Sequence, residues 1–193
     1  MPPGTSFYLT GDPEADRLLA EDPLALLIGM LLDQQVPMEW AFASPLRLRE
    51  RLGALDAEHI AAMDPDDLET VFRQRPALHR YPGSMAKRVG ALCRHLVERY
   101  GGHADRVWDR AATGQELLER VRALPGYGDE KARIFVAVLG KRLGVRPAGW
   151  QQAAAPFGDD TPRSVADIDS PDSLAQVREW KKAQKARGKG KSD

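Results

Sequence analysis

Residues 124–132, Leu-Pro-Gly-Tyr-Gly-Asp-Glu-Lys-Ala, lie between two stretches of helical periodicity and restrict the fold more than any other segment. Residues 115–123 carry Leu117, Leu118 and Val121, with Leu124 following, at three- and four-residue spacing. Residues 131–143 repeat that spacing with Ala132, Phe135, Val136, Leu139 and Leu143. Two such helices closed by a G-x-G turn form a helical hairpin. Glycine tolerates φ > 0 and leaves backbone amides uncovered. Uncovered amides beside the N-terminus of the second helix suit a phosphate. The same glycines would also serve a plain turn between helices.

The rest of the chain predicts helices almost throughout. Residues 12–20 form a first short helix. Pro23 opens a second through Leu24, Leu27, Ile28, Leu31 and Leu32, apolar nearly all round and so expected to be central and buried. Pro37 opens a third that turns Trp40, Ala41, Phe42, Leu46 and Leu48 inward and ends at Gly53. Residues 56–63 and a segment capped by Asp64 follow. Residues 76–83 read as a loop, and Ser84 starts a long helix stopped by Gly101 and Gly102. Thr113 and Glu116 have the spacing of a capping box. From 146 to 162 the sequence reads as a loop with one short helix near Trp150. Ser170 caps a last helix through Leu174, Val177 and Trp180. No segment alternates with period two.

Composition narrows the function. The single cysteine, Cys93, excludes a disulfide framework within the chain and a four-cysteine iron–sulfur cluster. The four histidines, His59, His79, His95 and His103, lack zinc-ligand spacing and are expected at the surface or half buried. The longest apolar run, 24–32, is too short to span a bilayer, and no secretory signal is evident, so a cytoplasmic, nucleoid-associated protein is expected. The formal net charge of zero hides a segregation of sign. Residues 12–69 hold 14 acids and four bases, whereas residues 73–99 hold seven bases and one acid. Residues 178–193 hold seven bases and two acids. Bases gathered on one face suit DNA even on a neutral protein.

The hairpin, with Leu124 and Pro125 before the first glycine and Ala132 after the second, resembles that of the helix-hairpin-helix DNA glycosylase superfamily, which includes endonuclease III and the alkyladenine glycosylases. The family hairpin reads L-P-G-hydrophobic-G, then two variable residues and a small one. The resemblance implies that Leu124, Gly126, Tyr127, Gly128 and Lys131 form a DNA contact through backbone amides at a phosphate. Residues 31–41, with Gln34 and Gln35 at the end of the central helix, look like the turn from which a side chain fills the gap left by an extruded base. Gln35 is the first candidate and Gln34 the second. Residues 81–88 match a family segment in which a glycine loop precedes a lysine-containing helix, which brings Lys87 and Arg88 to the DNA. The likeness covers residues 24–144.

The chemistry departs from the family pattern. Members that also cleave the strand place a Schiff-base lysine two residues after the second glycine. Glu130 stands there, and Lys131 comes one place later, turned by ~100° about the helix axis. The resemblance therefore implies no lyase step. Monofunctional members need an aspartate, which would fall near Ala148, Gly149 and Trp150, where no acid stands. The nearest downstream candidates are Asp159, Asp160 and Asp167, the last with the hydrophobic lead-in Val165-Ala166. These readings together predict an all-α, two-lobed fold resembling the helix-hairpin-helix glycosylases. One lobe spans 23–144, the other 1–22 with 145–180, and 181–193 form a disordered basic tail. The expected function is a monofunctional DNA glycosylase acting as a monomer on double-stranded DNA, with no metal, no organic cofactor and no membrane. The alternative is a non-catalytic protein that recognises distorted DNA.

Overall fold

The computed structural model describes residues 5–188 and is all-helical, with no strand among them. Contacts divide the chain into two compact units, one of residues 10–107 and 124–126, the other of residues 1–9, 108–123 and 127–193. The sequence reading grouped both hairpin helices with residues 23–107. Contacts group residues 108–123 and 127–143 with the C-terminal segments and Leu124–Gly126 with residues 10–107. Both sets are helical and apolar at the same period, so periodicity alone does not distinguish them.

The first unit is built around α2 (Pro23–Leu32), whose residues from Leu24 to Leu32 are all buried. An apolar surface on every side leaves a helix no stable place but the interior. Asp22 caps α2 by accepting the amides of Leu24 and Ala25 at 2.9 and 3.2 Å. Burial raises its carboxyl above the ordinary value despite those bonds. α1 (Pro13–Glu21) and α3 (Met38–Leu52) pack on α2. A Cβ at Gly29 would lie 2.8 Å from the Phe42 ring, so glycine is what lets α3 approach this closely. α4 (Ala57–Ala62) and α5 (Pro65–Arg73) pack against α6 (Pro82–Tyr100). Pro82 and Gly83, expected in the loop, form the first turn of α6, where proline lacks nothing because that amide has no intrahelical acceptor. A 3₁₀ turn at Ala104–Val107, which the sequence did not announce, ends the 10–107 segment of the unit.

The second unit holds α7 (Gly114–Arg122), α8 (Asp129–Arg142), α9 (Trp150–Ala153) and α10 (Pro171–Ala186). Thr113 caps α7 through the Glu116 amide at 3.1 Å. Glu116 reaches back one residue further than a capping box requires, to the Ala112 amide at 2.9 Å. The segment read as a loop packs tightly: Ala154 and Phe157 are fully buried, and the Trp150 ring lies where a Cβ at Gly140 would be, 2.4 Å away. α10 runs on through 181–186, which were expected in the disordered tail. Alanine, lysine and glutamine favour helix there, and lysines suit a helix C-terminus. Residues 189–193 of that tail lie outside the described residues. Among the described residues no helix is long and apolar enough to cross a membrane.

Candidate nucleic-acid interface

The hairpin loop separates its two glycines by function. Gly126 takes φ +86°, and a Cβ there would meet Leu31 Cδ1 at 3.0 Å, so the loop needs glycine for both its turn and its seat on α2. Gly128, the residue before α8, has φ −74° and ψ 178°, ordinary extended backbone, with nothing within 4 Å of a would-be Cβ. The left-handed conformation expected of this turn therefore occurs at one glycine, and the other supplies open space. The amides of Gly126, Gly128 and Asp129 have no acceptor among the described residues. They lie at the N-terminus of the 14-residue α8, where the helix dipole favours an anion. The Asp129 carboxylate would compete for that position, but Arg122 and Arg133 hold it at 2.6 and 2.9 Å. The Arg133 hydrogen bond, with Arg122 adding, keeps its carboxyl below the ordinary value. Leu124 and Tyr127 are buried, Tyr127 edge-on to Phe135 at 5.7 Å. Any contact they make with DNA is through their backbone. Lys131 is half buried, and Glu130 is exposed.

The glutamine turn adjoins the loop through one residue. Leu31 lies under Gly126, and its carbonyl accepts the Gln34 Nε2 amide at 2.8 Å. Arg88 of α6 donates to Gln34 Oε1 at 2.7 Å. Gly126, the central helix, the glutamine turn and the basic helix thus meet in a single chain of contacts within one unit. Gln34 is held at both ends of its amide. Gln35 is exposed and takes φ +58°, one of two non-glycine residues in the left-handed region among those described. Lys87 is exposed one residue before Arg88.

Two residues with no site role in the sequence reading lie beside the turn. Tyr81, just before α6, is the exposed large hydrophobic side chain of the described residues, at 43 %. The Arg80 guanidinium lies 5.4 Å from its ring centre. His79, expected at or near the surface, is 1 % exposed. Its Nε2 lies 3.1 Å from the Leu32 carbonyl and 2.9 Å from that of Gln34, and its Nδ1 accepts the Tyr81 amide at 3.0 Å. Both residues lie in the segment PALHRYPG, where nothing periodic marks an individual side chain, although Tyr81 also opens the family-like segment 81–88. Gln34, Gln35, His79, Tyr81, Ser84 and Arg88 line a cavity of about 240 Å³. A larger one in the same unit, about 730 Å³, has Glu39, Glu50, Arg47 and Arg75 on its rim and none of the expected site residues.

The candidate carboxylates fall in the second unit. Asp167 accepts Lys141 Nζ at 2.5 Å with one oxygen. Its other oxygen accepts the amides of Arg163 and Ser164, each at 3.0 Å. It closes a capping box on the 3₁₀ turn Val165–Asp167, and Asp169 is the acid beside the Ser170 cap of α10. Asp159 is half exposed, at 53 %, and pairs with Arg163 at 3.1 Å. Asp160 is exposed. Among the described residues no group of three or more His, Cys, Asp or Glu gathers as a metal site.

Compared with models of protein families, residues 28–188 match the HhH-GPD superfamily base excision DNA repair protein. No curated protein matches the chain.

Proposed function

We propose, since this chain belongs to the HhH-GPD superfamily of base excision DNA repair proteins, that it is a monofunctional DNA glycosylase that binds duplex DNA as a monomer. It extrudes a damaged base and hydrolyses the N-glycosidic bond. The observation that carries the reading is the contact chain Gly126–Leu31–Gln34–Arg88, which joins three segments that would each touch DNA. In this reading the amides of Gly126, Gly128 and Asp129 take a phosphate. That grip is indifferent to sequence, because phosphates carry no base information. Gln35, presented by a turn whose other glutamine is fixed, enters the stack vacated by the base. Its amide offers a donor and an acceptor to the orphaned partner. Tyr81 gives an aromatic face on which a neighbouring base stacks.

Glu130 in place of a lysine supports hydrolysis without a Schiff base. A carboxylate from Asp159, Asp160 or Asp167 then stabilises the cationic sugar and aligns water. The test is a panel of duplexes bearing alkylated, deaminated and oxidised bases, assayed for base release with and without borohydride. Release with no trapped adduct is expected. An adduct would overturn the monofunctional assignment.

One observation favours the second reading, a non-catalytic protein that recognises distorted DNA. Asp167, the carboxylate with the family-like lead-in, already engages Lys141 and two amides. Tight binding to distorted duplex with no release from any substrate would decide for it.

A further inference from the structure

We infer that His79 is a positioning residue that holds the glutamine turn in the left-handed shape presenting Gln35. The inference rests on the reading of Gln35 as the residue that fills the vacated stack. His79 is fully enclosed, yet it comes from a loop 44 positions from Gln35 in sequence. Its ring is polar at two ends, and both ends are used. Nδ1 accepts the Tyr81 amide at 3.0 Å, so that nitrogen carries a lone pair and the ring proton sits on Nε2. The Nε2 proton is then shared between the carbonyls of Leu32 and Gln34, at 3.1 and 2.9 Å.

Those two carbonyls frame the turn. Leu32 is the last residue of α2, and its oxygen also accepts the Gln34 amide at 2.7 Å. Gln34 is the residue before the strained one. A left-handed glutamine is held only where the surroundings fix its neighbours. Arg88 fixes the Gln34 side chain, and His79 fixes the backbone on either side of it. Through Tyr81 the same ring fixes the start of α6. One imidazole thereby sets the spacing between the glutamine turn and the exposed Tyr81 face. Only a neutral Nε2–H tautomer makes all three bonds.

Two amide substitutions separate its two ends. In His79→Gln the side-chain amide lies where Nε2 was, so donation to the turn is kept and the Tyr81 bond is lost. In His79→Asn an acceptor remains near Nδ1 and donation to the turn is lost. We expect hydrogen exchange of the Gln34 amide in the DNA-free protein to quicken in His79→Asn and to stay close to wild type in His79→Gln. We expect the nitrogen-15 spectrum of the wild-type imidazole to show the proton on Nε2. Extrusion of a fluorescent base analogue should fall ~10-fold in His79→Asn, recover in His79→Gln, and leave duplex binding within ~2-fold in both, the signature of an interaction used only in the extruded state. Equal exchange in the two variants, or a proton on Nδ1, would overturn the positioning role. Normal exchange differences with no extrusion by wild type would instead overturn the reading of Gln35 and leave His79 as the residue that shapes the turn. Melting curves of both variants check that the fold is kept. If His79→Asn fails to fold, Arg88→Met, which releases the other end of Gln34, replaces it, and unchanged extrusion there would count against the arrangement.

Discussion

At Gln35 stability and the proposed role pull apart. A non-glycine residue at φ +58° carries a local cost that glycine escapes. Gln35→Gly should therefore leave the fold intact and raise its stability by about 1 kcal/mol, while base extrusion falls because the amide proposed to fill the vacated stack is gone. Thermal melting with a fluorescent base analogue reads both quantities, and a lower melting temperature for Gln35→Gly would show that the turn is not strained. The two loop glycines divide in a similar way. Gly128→Val adds its branches to open space at an ordinary φ, so the fold should hold and DNA affinity should drop ~10-fold for every sequence alike, because only amide access is lost. Gly126→Val meets Leu31 and a left-handed φ, so it should lose stability as well as affinity. Titration of the Gly128→Val protein with several unrelated duplexes is the measurement. Affinity equal to wild type would take the hairpin out of the DNA contact.

Among the elements, the C-terminus of α8 pins the segment that leads into α10. Lys141 and Arg142 fall where the helix dipole favours cations, and they gather Asp167 and Asp169 at 2.5 and 2.6 Å. The Lys141–Asp167 pair is nearly buried, with side chains 11 % and 9 % exposed. Removing one partner of such a pair leaves an uncompensated charge and two unpaired amides. Asp167→Ala should thus cost about 3 kcal/mol in denaturant unfolding. Asp159→Asn, at a half-exposed carboxylate, should cost under about 0.5 kcal/mol. A full loss of base release in Asp159→Asn with an unchanged unfolding midpoint would mark that residue as the catalytic carboxylate. An Asp167→Ala protein as stable as wild type would show that the pair contributes nothing to the fold. The spacing of Thr113 and Glu116 announced the start of α7. Nothing local announced that Asp167 would answer Lys141, because the two are 26 residues apart with no periodic pattern between them.

For the whole molecule, Cys93 reports on global opening. Burial in α6 pushes its thiol up to about 12, so at pH 8 neither thiolate nor access is available. Alkylation of native protein should be slower than that of a model thiol by orders of magnitude and should follow the unfolding equilibrium across a denaturant series. Rapid labelling in buffer would mean that α6 opens locally. Sequence alone determined the helical class, the buried α2, the hairpin with its amides and the glutamine turn, since each is written in residues adjacent in the chain at periods that a helix or a turn dictates. It also placed a glutamate, Glu130, two residues after the second glycine of the hairpin. Tertiary structure alone decided which helices group together, which of Gln34 and Gln35 has its side-chain amide held at both ends, and which acids are already engaged. Those outcomes depend on partners far apart in sequence: His79 on the turn at residues 32–34, Arg88 on Gln34, Lys141 on Asp167. Local periodicity carries no record of such pairs, because a helix face or a loop is compatible with many neighbours until packing selects one.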